Sequence, residues 1–180
     1  MKVKSLIAAA ALSVLSIGAT AQTYAEIGIT SVSYEESLFD VIVKSSPQSF
    51  RGVVGYELNE TFAVEGHVGF GMSGDGIKVG GTSVPDATFD VDNVIGIYVK
   101  GKTKLTDNLE AFARAGLARA KGTASLDGVS ASASESGFSY GVGLSYVFDK
   151  TTSLNIDYMS YLDRSSSKAT GITVGLGFKF

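Results

Sequence analysis

The sequence predicts an all-β chain, an eight-stranded antiparallel up-and-down transmembrane β-barrel, on three observations. Apolar residues alternate with small or polar ones in eight segments, each about the 9 to 11 residues of a membrane strand. The connections between these segments alternate between short and long. After residue 21, no apolar run approaches the roughly 20 residues that a membrane helix needs.

The strands are expected near residues 24–34, 48–58, 62–72, 88–103, 109–121, 137–148, 153–163 and 169–180. The clearest alternation runs from Phe138 to Phe148, with Phe138, Tyr140, Val142, Leu144, Tyr146 and Phe148 on one face and mostly Gly and Ser on the other. The same phase separates Phe62, Val64, Val68 and Phe70 from Glu65, His67 and Gly69. It also separates Ile172, Val174, Leu176, Phe178 and Phe180 from Thr173, Gly175, Gly177 and Lys179. Short turns are read at Asn59-Glu60-Thr61, Lys104 to Asn108 and Asp149 to Thr152. Residues 35–47, 73–87 and 122–136 read as long polar or Gly/Ser-rich loops, with a shorter one from Arg164 to Lys168. Short turns at one end and longer loops at the other suit an outer-membrane barrel.

The small-residue phase carries the charges: Glu26, Arg51, Glu57, Glu65, His67, Lys100, Lys102, Glu110, Arg114, Asp157 and Lys179. The bulky phase is nearly charge-free through each strand's middle. A soluble barrel would waste a Gly/Ser face on water, whereas in lipid the bulky phase meets acyl chains and the small phase fits inside a narrow barrel. Aromatics on the bulky phase mark two girdles, with Phe50, Phe70, Phe89 and Phe138 near the loop ends and Tyr56, Phe62, Tyr146, Phe148, Phe178 and Phe180 near the turn ends. Phe138 to Phe148 spans about 24 Å vertically at a tilt near 45°, close to the apolar band of about 25 Å.

Residues 1–21 read as an export signal: Lys2 and Lys4, an apolar run from Leu6 to Ile17, and Ala19-Thr20-Ala21 as the cleavage site. Residues 22–180 then form one barrel domain with 13 basic and 18 acidic residues. The 180-residue chain has no Cys and a single His, which excludes disulfides, thiol catalysis and Cys- or multi-His metal sites. Its formal charge of −3 gives no footprint for nucleic acid. Only 18% of residues are charged and 22 are Gly, so the composition is not that of an average cytosolic enzyme.

The export signal, the eight alternating strands and the terminal run Ile172-Thr173-Val174-Gly175-Leu176-Gly177-Phe178-Lys179-Phe180 together resemble the small eight-stranded outer-membrane barrels of Gram-negative bacteria, the OmpA/OmpX-like porin-family barrels. Arg51 to Leu58 and Ala113 to Leu117 also look like strands of that family. The resemblance implies residence in the outer membrane, contact with its lipid and lipopolysaccharide, and a final strand ending on Phe178 and Phe180 that the outer-membrane assembly machinery reads. It implies a monomer, and no carboxy-terminal peptidoglycan-binding domain is expected. Members serve as anchors, adhesins, resistance factors or lipid-modifying enzymes, so the role is open at this point.

The inward charges balance, with five acids (Glu26, Glu57, Glu65, Glu110, Asp157) and five bases (Arg51, Lys100, Lys102, Arg114, Lys179) around His67. Buried charges must find partners, so a salt-bridged plug is expected, with Arg51, Glu65, Lys100, Glu110 and Arg114 at mid-barrel. A narrow pore is the alternative. His67 is the sole candidate general base, but it points inward with Glu65, away from any lipid substrate, so a lipid A modifying enzyme is the weaker reading. No catalytic residue, metal or cofactor is assigned. A soluble lipid carrier of lipocalin type would require the bulky phase to face in. Gly69 to Gly74 matches G-x-G-x-x-G but lacks the following helix that phosphate binding needs. Asn59-Glu60-Thr61 fits a glycosylation sequon but reads as turn chemistry. Asp75, Asp86, Asp90 and Asp92 form an acidic rim, read as solvated rather than cation-binding. The expected role is a non-enzymatic barrel presenting loops for envelope integrity or for contact with a surface or host ligand.

Overall fold

A computed structural model describes residues 23–38, 41–163 and 167–180. The export signal read in residues 1–21 lies outside the described residues. Among the described residues there are ten strands: β1 (Thr23–Leu38), β2 (Val41–Ser45), β3 (Gln48–Glu57), β4 (Phe62–Ser73), β5 (Asp75–Val79), β6 (Thr82–Lys104), β7 (Leu109–Leu126), β8 (Val129–Val147), β9 (Thr152–Asp163) and β10 (Ser167–Lys179).

Eight of them, all but β2 and β5, close a ring in the order β1-β3-β4-β6-β7-β8-β9-β10. Each pairs antiparallel with the next, and β10 returns to β1 from Tyr24↔Lys179 to Glu36↔Ser167. The Phe180 amide donates to the Thr23 carbonyl at 3.0 Å, so the last residue completes the seam. Closure leaves no unpaired edge, the condition that a lipid solvent imposes on strands.

The two phases go where the alternation puts them. Ile97 (68% exposed), Val142 (62%), Leu117 (60%), Ile172 and Val174 face outward, while Ala63, Val53, Ser139 and Thr173 are buried inside. No large apolar core fills the lumen: the buried hydrophobic cluster is Tyr98, Ala118 and Met159, with Tyr161 against it. Glycines make room for inward rings. Tyr24 of β1 pairs with Gly55 of β3, and a Cβ on Gly55 would come within 2.1 Å of the Tyr24 ring; Phe112 covers Gly143 in the same way.

At the turn end the connections are short and capped by side chains. The Asn59 carboxamide oxygen accepts from the Thr61 and Phe62 amides at 2.9 and 2.8 Å. The Asp149 carboxylate accepts from the Thr151 and Thr152 amides, both at 2.8 Å, and the Thr151 amide is the first reason its pKa lies below the usual carboxylate value.

The opposite end differs from the sequence expectation. Residues 73–87 and 122–136 do not form irregular loops; β6, β7 and β8 run 23, 18 and 19 residues and project as hairpins past the Phe70 and Phe138 girdle. The β7–β8 turn is Asp127-Gly128, both at positive φ (49° and 80°), the two-residue connection whose twist matches paired strands. Gly80 and Gly81, also at positive φ, turn β5 into β6. Here β2 and β5 pair with each other and with β1 and β6, adding a second belt of strand at the hairpin end. Gly69 to Gly74 lies along the end of β4, and the strand β5 follows it rather than a helix.

Phe89 departs from the lipid-facing position that the alternation predicts, because a bulge between Val91 and Asn93 inverts the phase of β6 above it. Phe89 therefore turns inward, stacks on Tyr34 with ring centroids 5.0 Å apart, and leaves the outer girdle to Phe50, Phe70 and Phe138.

Candidate functional site: a charged belt across the lumen

Midway along the barrel six charged side chains from six strands meet: Glu26 (β1), Arg51 (β3), Glu65 (β4), Lys100 (β6), Arg114 (β7) and Asp157 (β9). Each lies on the small-residue phase of its strand, and antiparallel closure brings these positions to similar depth. Arg114 is the hub. Its Nε donates to Glu65 Oε2 at 2.7 Å, one terminal nitrogen to Glu26 Oε2 at 2.7 Å and Glu65 Oε1 at 3.2 Å, and the other to Asp157 Oδ2 at 2.8 Å. Since β7 and β1 stand opposite each other in the ring, the Arg114–Glu26 bond spans the full lumen.

Arg51 grips Asp157 through both terminal nitrogens, one at 2.8 Å. Lys100 donates to Glu26 Oε1 at 3.0 Å and lies 3.5 Å from Glu65 Oε1. Rings line the gaps: the Lys100 ammonium sits 4.5 Å from the Phe112 centroid and 4.9 Å from that of Tyr24, and Arg114 stacks over Phe112 at 4.4 Å. The Tyr24 hydroxyl donates to Glu65. Three cations face three carboxylates, so the charge sums to zero, and every ion is met by a partner that offsets part of its desolvation.

His67, the next lumen-facing residue of β4 toward the hairpin end, takes the remaining approach to Glu65. Its Nε2 lies 2.8 Å from Glu65 Oε2, and its ring packs on Tyr98 at 4.2 Å. Nδ1 is buried with no hydrogen-bond partner in the structure.

A second cluster lies toward the turn end, where Lys102 and Lys179 both bind the Glu57 carboxylate at 2.5 Å. It is wetter, the Lys179 side chain being 40% exposed. Glu110, expected at mid-barrel, is absent from the belt. It lines a cavity of about 170 Å³ on the turn side and makes no ion pair among the described residues. The expected mid-barrel set thus omits Glu26 and Asp157, which the structure places in the belt. Tyr24, Tyr98 and Phe112 also bear on the site. Their signal was positional: an aromatic facing Gly in the neighbouring strand becomes visible only once the register is known.

The acidic rim is distributed rather than gathered. Asp75 accepts from the Ser46 amide at 2.8 Å, and Asp92 takes Lys121 at 3.4 Å and the Thr123 hydroxyl at 3.0 Å. Among the described residues no three His, Cys, Asp or Glu side chains come together to hold a metal. At the last strand, Phe178 faces outward and Phe180 is half-buried.

The family described as outer membrane protein beta-barrel domain matches residues 7–180. A search of curated proteins found no match. Among solved structures, the chain is similar to Neisserial surface protein A, with a TM-score of 0.66 and 18% identity over 91% of this chain and 99% of that one. It is similar to Ail, the attachment invasion locus protein of Yersinia pestis, with a TM-score of 0.62 and 17% identity over 89% and 99%. It is also similar to the outer membrane protein OprG of Pseudomonas aeruginosa, with a TM-score of 0.60 and 12% identity over 91% and 98%. Closed ring, outward apolar band and family match agree, and the chain belongs to the outer-membrane β-barrel domain family, a β-barrel protein of the bacterial outer membrane.

Proposed function

We propose that this protein is a non-enzymatic outer-membrane anchor: a barrel sealed at its middle by the charged belt, carrying the β5–β8 hairpins outward as a surface for contact. The observation that carries this reading is the belt itself, in which Arg114 bonds carboxylates from three other strands and is itself buried. An eight-stranded barrel encloses little beyond side-chain volume, and ions locked in this way leave no aqueous path. A catalytic role for His67 finds no support, because the ring lies within the lumen against Glu65 and Tyr98, away from lipid substrates. Full ring closure, leaving no strand edge to pair, favours a monomer.

The hairpins determine what the surface suits. Residues 73–92 and 120–137 carry Asp75, Asp86, Asp90, Asp92, Asp127 and Glu135 against Lys78 and Lys121. Ail has been crystallised with the heparin analogue sucrose octasulfate. An acidic rim repels such a polyanion and favours a cationic partner. Purified protein in zwitterionic nanodiscs is expected to bind fluorescent polylysine in a salt-sensitive manner and to ignore heparin. Replacing Asp75, Asp86, Asp90 and Asp127 together by Asn should weaken that binding while leaving the barrel's heat-modifiable gel mobility intact. Heparin binding, or polylysine binding indifferent to these replacements, would overturn the surface reading.

The terminal strand is the assembly signal in this reading, with Phe178 outward and Phe180 at the seam. Deleting Phe180 should lower the folded protein in the outer membrane, as read by membrane fractionation; normal folded levels would reject it.

A further inference from the structure

The lipid-facing wall of the barrel is not uniformly bulky. Gly66 stands on the outward phase of β4 between Val64 and Val68, both exposed, and a Cβ added to it would meet no atom within 4 Å. The register places Val54, Gly66, Ile97 and Leu117 side by side, with Val64, Val99 and Ala115 one outward row nearer the turn end. These residues line a groove of about 660 Å³. A glycine inside a strand gives up packing and marks a place where another group comes close. The groove falls within the roughly 300–1,000 Å³ of sites that take one small molecule.

A cation stands over the upper end of this groove. Arg119 is the next outward position of β7 beyond Leu117, which pairs with Phe138 of the outer girdle. It is exposed and makes no ion pair among the described residues. Lys121, one outward position higher, takes Asp92 at 3.4 Å, and that carboxylate also accepts from the Thr123 hydroxyl. A guanidinium at the edge of the apolar band favours an anionic headgroup, and the groove beneath it leaves room for a chain.

The depth of the groove matches one leaflet. Ala115 lies four residues before Arg119, about 13 Å along the strand and about 9 Å vertically at a tilt near 45°. A leaflet takes about half of the apolar band of about 25 Å. The longer connections of outer-membrane barrels are extracellular, so the leaflet beside Arg119 is the outer one, built of lipopolysaccharide. We propose that Arg119 and the Gly66 groove form a binding site for lipid A, the acylated and phosphorylated anchor of lipopolysaccharide. One phosphate sits on the guanidinium, whose fork matches phosphate oxygens, and one acyl chain lies over Gly66 and Ala115.

Native mass spectrometry of the folded protein released from neutral detergent micelles tests this site, with diphosphoryl lipid A as the probe and, separately, lipid A stripped of its phosphates. The wild-type barrel is expected to retain one lipid A in a saturable manner and to hold the phosphate-free form about tenfold more weakly, the loss of one charge-assisted contact. Arg119→Gln should lower lipid A retention by the same factor and leave the phosphate-free form unchanged. Gly66→Leu, which fills the groove, should weaken both forms, whereas Val174→Leu, exposed on the opposite wall, should change neither. Heat-modifiable gel mobility reports the folding of each variant, and Ala115→Leu fills the same groove from β7 should Gly66→Leu fail to fold. Equal retention of the two lipid forms by the wild type, non-saturating uptake, or lipid A retention unmoved by Arg119→Gln or by a folded groove variant would overturn the proposal.

Discussion

The belt around Arg114 and the cluster around Glu57 are made of the same parts, carboxylates bridged by two cations from other strands, yet they occupy different solvents. Arg114 and Glu65 side chains have no exposure, whereas Lys102 and Lys179 are 16% and 40% exposed. In the belt each ion has lost its water and depends on its partners; at the turn end water can replace any partner that leaves. The inward phase is therefore graded, from wet at the turn side, through a dry ionic centre, to mostly apolar walls beyond it.

The largest effect is expected from Arg114→Met. It strands Glu26, Glu65 and Asp157 around a deficit of one cation, and should cost about 3–5 kcal/mol in urea unfolding of the micelle-embedded protein. A cost no larger than that at Glu57 would erase the distinction between the two clusters. Next comes a charge placed where none has a partner. Val142 lies at mid-strand and faces lipid, so Val142→Arg should cost about 2–4 kcal/mol near the bilayer midplane by the same unfolding assay. Unchanged stability there would reverse the phase assigned to every strand. The smallest effect belongs to Glu57→Gln, about 1 kcal/mol or less, because Lys102 and Lys179 can turn to water. A loss comparable with that of Arg114→Met would mean the turn-side cluster is as dry as the belt.

The strands, their phase and the charged inner face were legible in the sequence because period-two alternation is a local signal, dense in segments such as Phe138 to Phe148. What escaped depends on register or on irregularity. The bulge near Asp92 has no marker in its own residues, so alternation alone puts Phe89 in lipid although the structure turns it inward. Asp127-Gly128 did carry a turn signal, but the surrounding Ser and Ala residues read as loop, since strands that extend past the membrane need no strong apolar phase. The membership of the belt depended on how the strands are staggered around the ring. Glu110 shares the inward phase with Arg114, yet it sits four residues earlier, at the start of β7, and falls into the turn-side cavity, while Glu26 and Asp157 come to Arg114 from other strands across the lumen.

The central claim is that the belt seals the lumen, and planar-bilayer recording of the purified protein tests it most directly. The account predicts no steady, well-defined single-channel conductance from the wild-type barrel, nor from Glu57→Gln, whose site lies below the seal. Reproducible open channels from folded wild-type protein would contradict it, and the barrel would then be a water-filled pore.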